Sequence, residues 1–137
     1  MTLYLVREKV GGALYCGPLA LCSVTGVPPE HIIEEIQTYR GNKRPVVSMC
    51  ILEVRGILSR LHRKTRMVYY APGKIRLQDY CEKLRRRRDF RNRIVFSPGH
   101  AIATNGLLVY DTYVPSPVVP ESHPKKNSGV WGAIIVG

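Results

Sequence analysis

Apolar residues in the first half of the chain recur at helical spacing, whereas those of the second half fall into short β-branched and aromatic runs. In "CGPLALCSVTG" the segment 17–24 predicts a short helix: Pro18 sits in the first turn, where proline is tolerated, and Thr25-Gly26 stops it. A second helix over 29–39 starts at a proline and places Glu30 in its first turn. It gathers Ile32, Ile33 and Ile36 on one face and ends before Gly41. A third begins near Ser48 and carries Ile51, Leu52, Val54, Ile57, Leu58 and Leu61, with a basic tail suited to the negative end of its dipole. "RMVYYAP" reads as a strand and "IRLQDYCEKLRRRRDF" as a basic amphipathic helix. "RIVFSP", "HAIAT", "LLVYDTYV" and "VWGAIIV" then read as strands. Residues 3–6 read as a strand or extended lead-in, Gly11-Gly12 as a turn, and the proline-rich stretch 114–129 as a surface loop. Helices that lead and strands that follow predict an α+β fold with a mostly antiparallel sheet, in one domain over 1–137.

One turn in this pattern places two chemical groups. "HAIATNGLLVYDT" holds Asn105-Gly106 between apolar runs, a strong hairpin signal, because a type I′ turn needs positive φ at both central residues. With 105 and 106 as the loop, Thr104 opposes Leu107, Ile102 opposes Val109, and His100 opposes Asp111. An imidazole and a carboxylate are thereby expected side by side on a largely apolar sheet face, where a carboxylate needs a partner. The competing reading has Asp111 ending its strand and opening a turn, with His100 at a rim.

Cys16 decides between them. A free thiol, with a pKa near ~8.5, is only slightly ionised at neutral pH. A helix N-terminus and an imidazolium in contact both lower that value, and Cys16 stands directly before the first predicted helix. Gly17 would let substrate approach the backbone closely. Cys22, Cys50 and Cys81 lie within apolar helical patterns and read as buried small hydrophobes, the commonest fate of a free cysteine and the competing reading for Cys16.

Composition narrows the classes. With 45% hydrophobic and 23% charged residues the chain has the material of a folded domain, which excludes global disorder. Four cysteines without a CxxC pair exclude a zinc ribbon, and no metal or cofactor is expected. The apolar stretch 10–25 imitates a signal peptide, but glycines and Pro18 interrupt it and it is too short to span a bilayer. A non-exported, cytoplasmic protein without a membrane partner is expected. The net charge of +11 favours polyanionic partners, nucleic acid or an acidic protein. Its densest source is "KLRRRRDFRNR" (83–93), which makes Arg85, Arg86, Arg87, Arg88, Arg91 and Arg93 candidate polyanion contacts. The alternative is a solvated helix face, and with Phe90 as the sole interleaved aromatic a stacking platform is poorly supported. His31 and His62 read as a solvent-facing and a helix-end residue, His123 as a surface residue of the proline-rich loop, and Tyr110 and Trp131 as sheet packing.

Taken as an ordered set, Cys-Gly-Pro-Leu-Ala-Leu at 16–21, Gly-His-Ala-Ile-Ala at 99–103 and Val-Tyr-Asp-Thr at 109–112 resemble a small papain-like cysteine peptidase. The nearest groups are the bacteriocin-leader-peptidase-like and phage-encoded minimal domains. The resemblance implies Cys16 as nucleophile, His100 as general base and acid, and Asp111 as the orienting carboxylate. It implies acyl transfer on a peptide or isopeptide bond, chemistry that a transferase or deamidase would run with the same groups. Such enzymes usually carry a Gln six positions before the nucleophile as an oxyanion donor. Val10 stands there instead, and no Gln or Asn precedes Cys16, which leaves the Cys16 backbone N–H as the candidate donor. The alternative is a catalytically silent papain-like scaffold whose basic surface binds a protein or nucleic acid, as a viral factor acting in the host cytoplasm would.

Overall fold

The apolar helix nearest the N-terminus forms the centre of the molecule. In the computed structural model, which describes residues 2–6 and 15–137, helix α1 (Cys16–Thr25) buries every residue after Cys16. A helix apolar all round must be covered all round. One side lies against the sheet, and the other is covered by helices α2 (Pro29–Arg40) and α3 (Ile51–Arg60), with α3 also reaching the sheet. Gly26 closes α1 with φ 76°, a left-handed conformation that favours glycine.

The remaining elements are β1 (Thr65–Tyr69), α4 (Leu77–Arg87), β2 (Arg93–Ser97), β3 (His100–Thr104), β4 (Val109–Tyr110), a 3-10 turn (Pro120–Ser122) and β5 (Gly132–Val136). The strands form one sheet in the order β1-β5-β2-β3-β4, and all four neighbouring pairs are antiparallel. Because side chains alternate across a sheet, each strand serves two cores. Ile94, Phe96, Ala101, Ala103, Ile134 and Val136 face the α1 side. Val95, Ile102, Val109 and Ala133 face α4, which packs Leu77, Tyr80, Cys81 and Leu84 against them. The fold is α+β, with helices on an antiparallel sheet. Among the described residues no helix is long and apolar enough to cross a membrane.

Four sequence expectations change or narrow. Helix α3 starts at Ile51, so Cys50 is its N-cap residue and is exposed, outside any core. Of the two readings of residues 3–6, the strand drops out and the lead-in stays: Leu3 is buried and the Tyr4 N–H bonds the Ser23 carbonyl. The strand expected over 107–114 contracts to Val109–Tyr110. The proline-rich loop is built into the fold. Val118 exchanges two backbone hydrogen bonds with Val109, and the carbonyls of Ser128 and Lys126 accept from the N–H groups of Leu77 and Gln78, which the first turn of α4 cannot satisfy itself. The turn expected at Gly11-Gly12 lies outside the described residues.

The hairpin between β3 and β4 also differs. Ala103 pairs Tyr110 and Thr104 pairs Val109, so the loop has four residues, 105–108, and the register is two residues from the expected one. Asn105 keeps negative φ, which rules out a type I′ turn. Its side chain instead accepts from the N–H groups of Leu107 (3.0 Å) and Leu108 (2.9 Å), while the Thr104 hydroxyl donates to the Leu108 carbonyl (2.8 Å). Two side chains thus build a wider loop than the Asn-Gly pair alone predicts.

Candidate active site

Cys16 opens α1 and is half-buried. Its N–H is among the helix donors that have no acceptor one turn back, and the positive end of the dipole lies at its side chain. The space over Gly17 is taken by Met49, whose side chain would lie 3.0–3.2 Å from an added Cβ. The glycine therefore serves close packing within the chain, where the sequence suggested close approach of substrate.

His100 is the first residue of β3, after Gly99 at φ 65°. Continuing the register of β4, Asp111 falls opposite Ile102 and diagonal to His100. A two-residue shift preserves the face, and diagonal neighbours about 7–8 Å apart are within reach of long side chains. His100 Nε2 lies 2.7 Å from Asp111 Oδ2. That contact leaves Nδ1 for the Cys16 thiol, and the thiol and imidazole are close enough that each shifts the other's ionisation. Sulfur, imidazole and carboxylate form one connected line.

The ionisation of each group follows from its neighbours. Hydrogen bonding to His100 lowers the Cys16 pKa, and burial opposes this without reversing it. Burial alone would lower the His100 value, but the Asp111 carboxylate and the Cys16 sulfur outweigh it and push it up to about 9. Burial works against the Asp111 charge, yet His100, His123 and the Tyr113 N–H hold its carboxyl down at about 2. The raised imidazole value and the lowered thiol value both act in the direction of a thiolate–imidazolium pair.

His123, expected on the surface, is instead 1% exposed and lies against the acid. Its Nδ1 accepts the Lys125 N–H at 2.9 Å, so the ring proton of the neutral form sits on Nε2. Nε2 is 2.9 Å from Asp111 Oδ2, a short contact that helps keep the acid charged although its N–H is not well aligned with the oxygen. Tyr113 donates its N–H to Asp111 Oδ1 at 2.9 Å and packs its ring edge-on to His100 with centroids 4.9 Å apart. The Lys125 ammonium lies 5.2 Å from the Tyr113 ring. The loop after β4 thus encloses the acid. The only sequence signal for His123 was a histidine between prolines, without periodicity to give its direction.

The remaining candidates are divided by their surroundings. Burial pushes the Cys22 thiol up to about 12 and that of Cys81 up to about 11, which makes both inert. Tyr110 is buried and its hydroxyl meets the backbone of Val6; Trp131 packs on Phe96 and Tyr69. Of the six arginines, Arg85 bonds the Gly106 carbonyl and Glu121, Arg86 pairs Glu82, and Arg91 pairs Asp89. Arg93 is 2% exposed, so it lies in the interior, off the helix surface where the sequence placed it. Arg87 and Arg88 are exposed. The position of Val10 lies outside the described residues. Among the described residues no group of three or more His, Cys, Asp or Glu is arranged to hold a metal ion.

No family model and no curated protein matches the chain. Among solved structures it is similar to a double glycine motif protease from an AMS/PCAT transporter, determined in complex with the leader peptide. The TM-score is 0.57 at 16% identity, over 98% of this chain and 90% of that one. At that identity the likeness is one of fold, an α+β arrangement of helices on an antiparallel sheet.

Proposed function

We propose that the protein is a cysteine-dependent peptidase that cleaves a peptide or protein substrate by acyl transfer through Cys16. The observation that carries this reading is the connected line from the Cys16 thiol through His100 to a buried Asp111. The similar fold of a protease bound to a leader peptide supports a peptide as substrate.

In the first half-reaction the Cys16 thiolate adds to the scissile carbonyl carbon. The oxyanion that forms is met by the Cys16 N–H at the start of α1. The imidazolium gives its proton to the leaving nitrogen, the C–N bond breaks, and a thioester remains on Cys16. In the second, neutral His100 takes a proton from water, hydroxide oxygen adds to the thioester carbonyl, and the C–S bond breaks. This releases the carboxyl product and restores the pair. Asp111 holds the ring by Nε2 throughout, so that Nδ1 serves sulfur, leaving group and water in turn.

Alkylation by iodoacetamide across pH tests the reading. Cys16 is expected to react as thiolate at a lower pH than an ordinary thiol of pKa ~8.5, while Cys22 and Cys81 stay unmodified; His100→Ala should return Cys16 to ordinary behaviour. Cleavage of a fluorogenic peptide library should be lost with Cys16→Ser. A second reading, a scaffold that binds without cleaving, is favoured by the lack of any Gln or Asn before Cys16. It prevails if Cys16 alkylates no faster than a free thiol.

A further inference from the structure

On the α4 side the sheet is only partly covered. Helix α4 lies over β2, β3 and β4, and beside it, toward the edge strand β1, a groove of about 480 Å³ remains open. Its floor is apolar, formed by Val68, Ile135 and Leu84, with the edge-to-face pair Tyr70 and Tyr80 at one side. Its walls are basic. Arg66 comes from β1, Lys74 from the connection to α4, Lys83 and Arg87 from successive turns of α4, and Arg91 and Arg93 from the approach to β2.

Six cations face one carboxylate, Asp89, which is already engaged by Arg91 and Arg93. Arg91 foremost, and Arg93 with it, hold its carboxyl well below the usual range, so it stays charged and unavailable to the others. Arg66, Lys74, Lys83 and Arg87 pair with no carboxylate among the described residues. Arg93 is buried with imperfect partners. Its Nη1 is 3.4 Å from the Tyr80 hydroxyl, and Nη2, though 2.9 Å from Asp89 Oδ1, makes no aligned hydrogen bond. A buried guanidinium with an unsatisfied donor is costly, and an anion in the groove would reduce that cost.

We propose that this groove binds a compact polyphosphate anion of nucleotide size. The volume is that of a small-molecule site, an apolar floor accepts a flat ring, and converging arginines and lysines match phosphate oxygens. An extended polyanion would need a basic track along the surface, but Arg85 and Arg86, which would continue one along α4, are neutralised by Glu121 and Glu82. None of the lining residues belongs to the Cys16 site, so the groove stands apart from the peptidase reading.

The test is titration calorimetry with inorganic triphosphate and with adenosine triphosphate at low and high salt. The comparison is between wild type, a groove variant (Lys83→Glu with Arg87→Glu), and an equally charge-changed control remote from it (Arg44→Glu with Arg55→Glu). All four side chains are exposed, and thermal melts verify that both variants fold. Saturable binding that weakens about tenfold or more in the groove variant and stays unchanged in the control supports the site. Tighter binding of the nucleoside form assigns the floor to a base, while equal binding assigns the site to phosphate alone. The proposal is overturned by absence of saturable binding, by equal loss in both variants, or by single-stranded oligonucleotides that bind more tightly with length and that triphosphate fails to displace.

Discussion

Asp111 is a carboxylate at 1% exposure that stays ionised because three donors converge on it. Folding thus gains from its charged form. That contribution is fully present above the ordinary carboxyl value of 3.8 and is lost as pH falls through about 2. His100 works in the opposite direction: raised to about 9, it contributes below 6.5 and ceases to contribute as pH rises through about 9. His123 shapes the acid side. Replacing it with leucine removes one donor from Oδ2, so the folded-state pKa of Asp111 rises and acid unfolding, followed by Trp131 fluorescence, should occur at higher pH than in wild type. His123→Gln, which can still present an N–H, should restore much of the wild-type midpoint. Equal acid midpoints for the leucine variant and wild type would show that His123 merely fills space. The alkylation profile of Cys16 gives a second readout, because a side chain that only packs has no reason to move its acid limb.

The hairpin shows what the sequence could carry at the scale of an element. Alternation put His100 and Asp111 on one face, and a two-residue error in register left that face unchanged, so the pair was legible although its register was not. What the local pattern could not supply was the capping of the loop by Asn105 and Thr104 side chains, which compete with the type I′ geometry. Asn105→Ala removes the acceptor of two N–H groups in a half-buried turn and should cost about 1 kcal/mol, read as a melting temperature lower by about 3 °C or more. An unchanged melting temperature would mean that backbone alone sets the turn. Helices α1 and α2 were legible from their stop signals, Gly26 and Gly41, and α2 and α3 from their apolar period. The exposure of Cys50 and the burial of His123 were not, since both depend on what neighbouring segments cover. The same limit applies to Arg93, which sits in a run of surface arginines yet begins a strand buried on both faces.

Across the whole molecule, 21 basic residues against 10 acidic ones create a positive field around Cys16 and its neighbour His100. A negatively charged reagent should therefore be enriched at the sulfur relative to a neutral one of the same reactivity and size. Iodoacetate and iodoacetamide are such a pair. Their rate ratio at Cys16 is expected to exceed the ratio for a small free thiol by several-fold at low ionic strength. It should fall toward that reference as salt shortens the screening length from about 10 Å at 0.1 M to about 3 Å at 1 M. His100→Ala separates near from far sources: the part of the preference that persists in this variant comes from the distributed arginines and lysines, and the part that disappears comes from the imidazolium. A ratio equal to that of the free thiol at every salt concentration would mean that the positive field does not reach the sulfur, and that acidic peptides have no kinetic advantage as substrates.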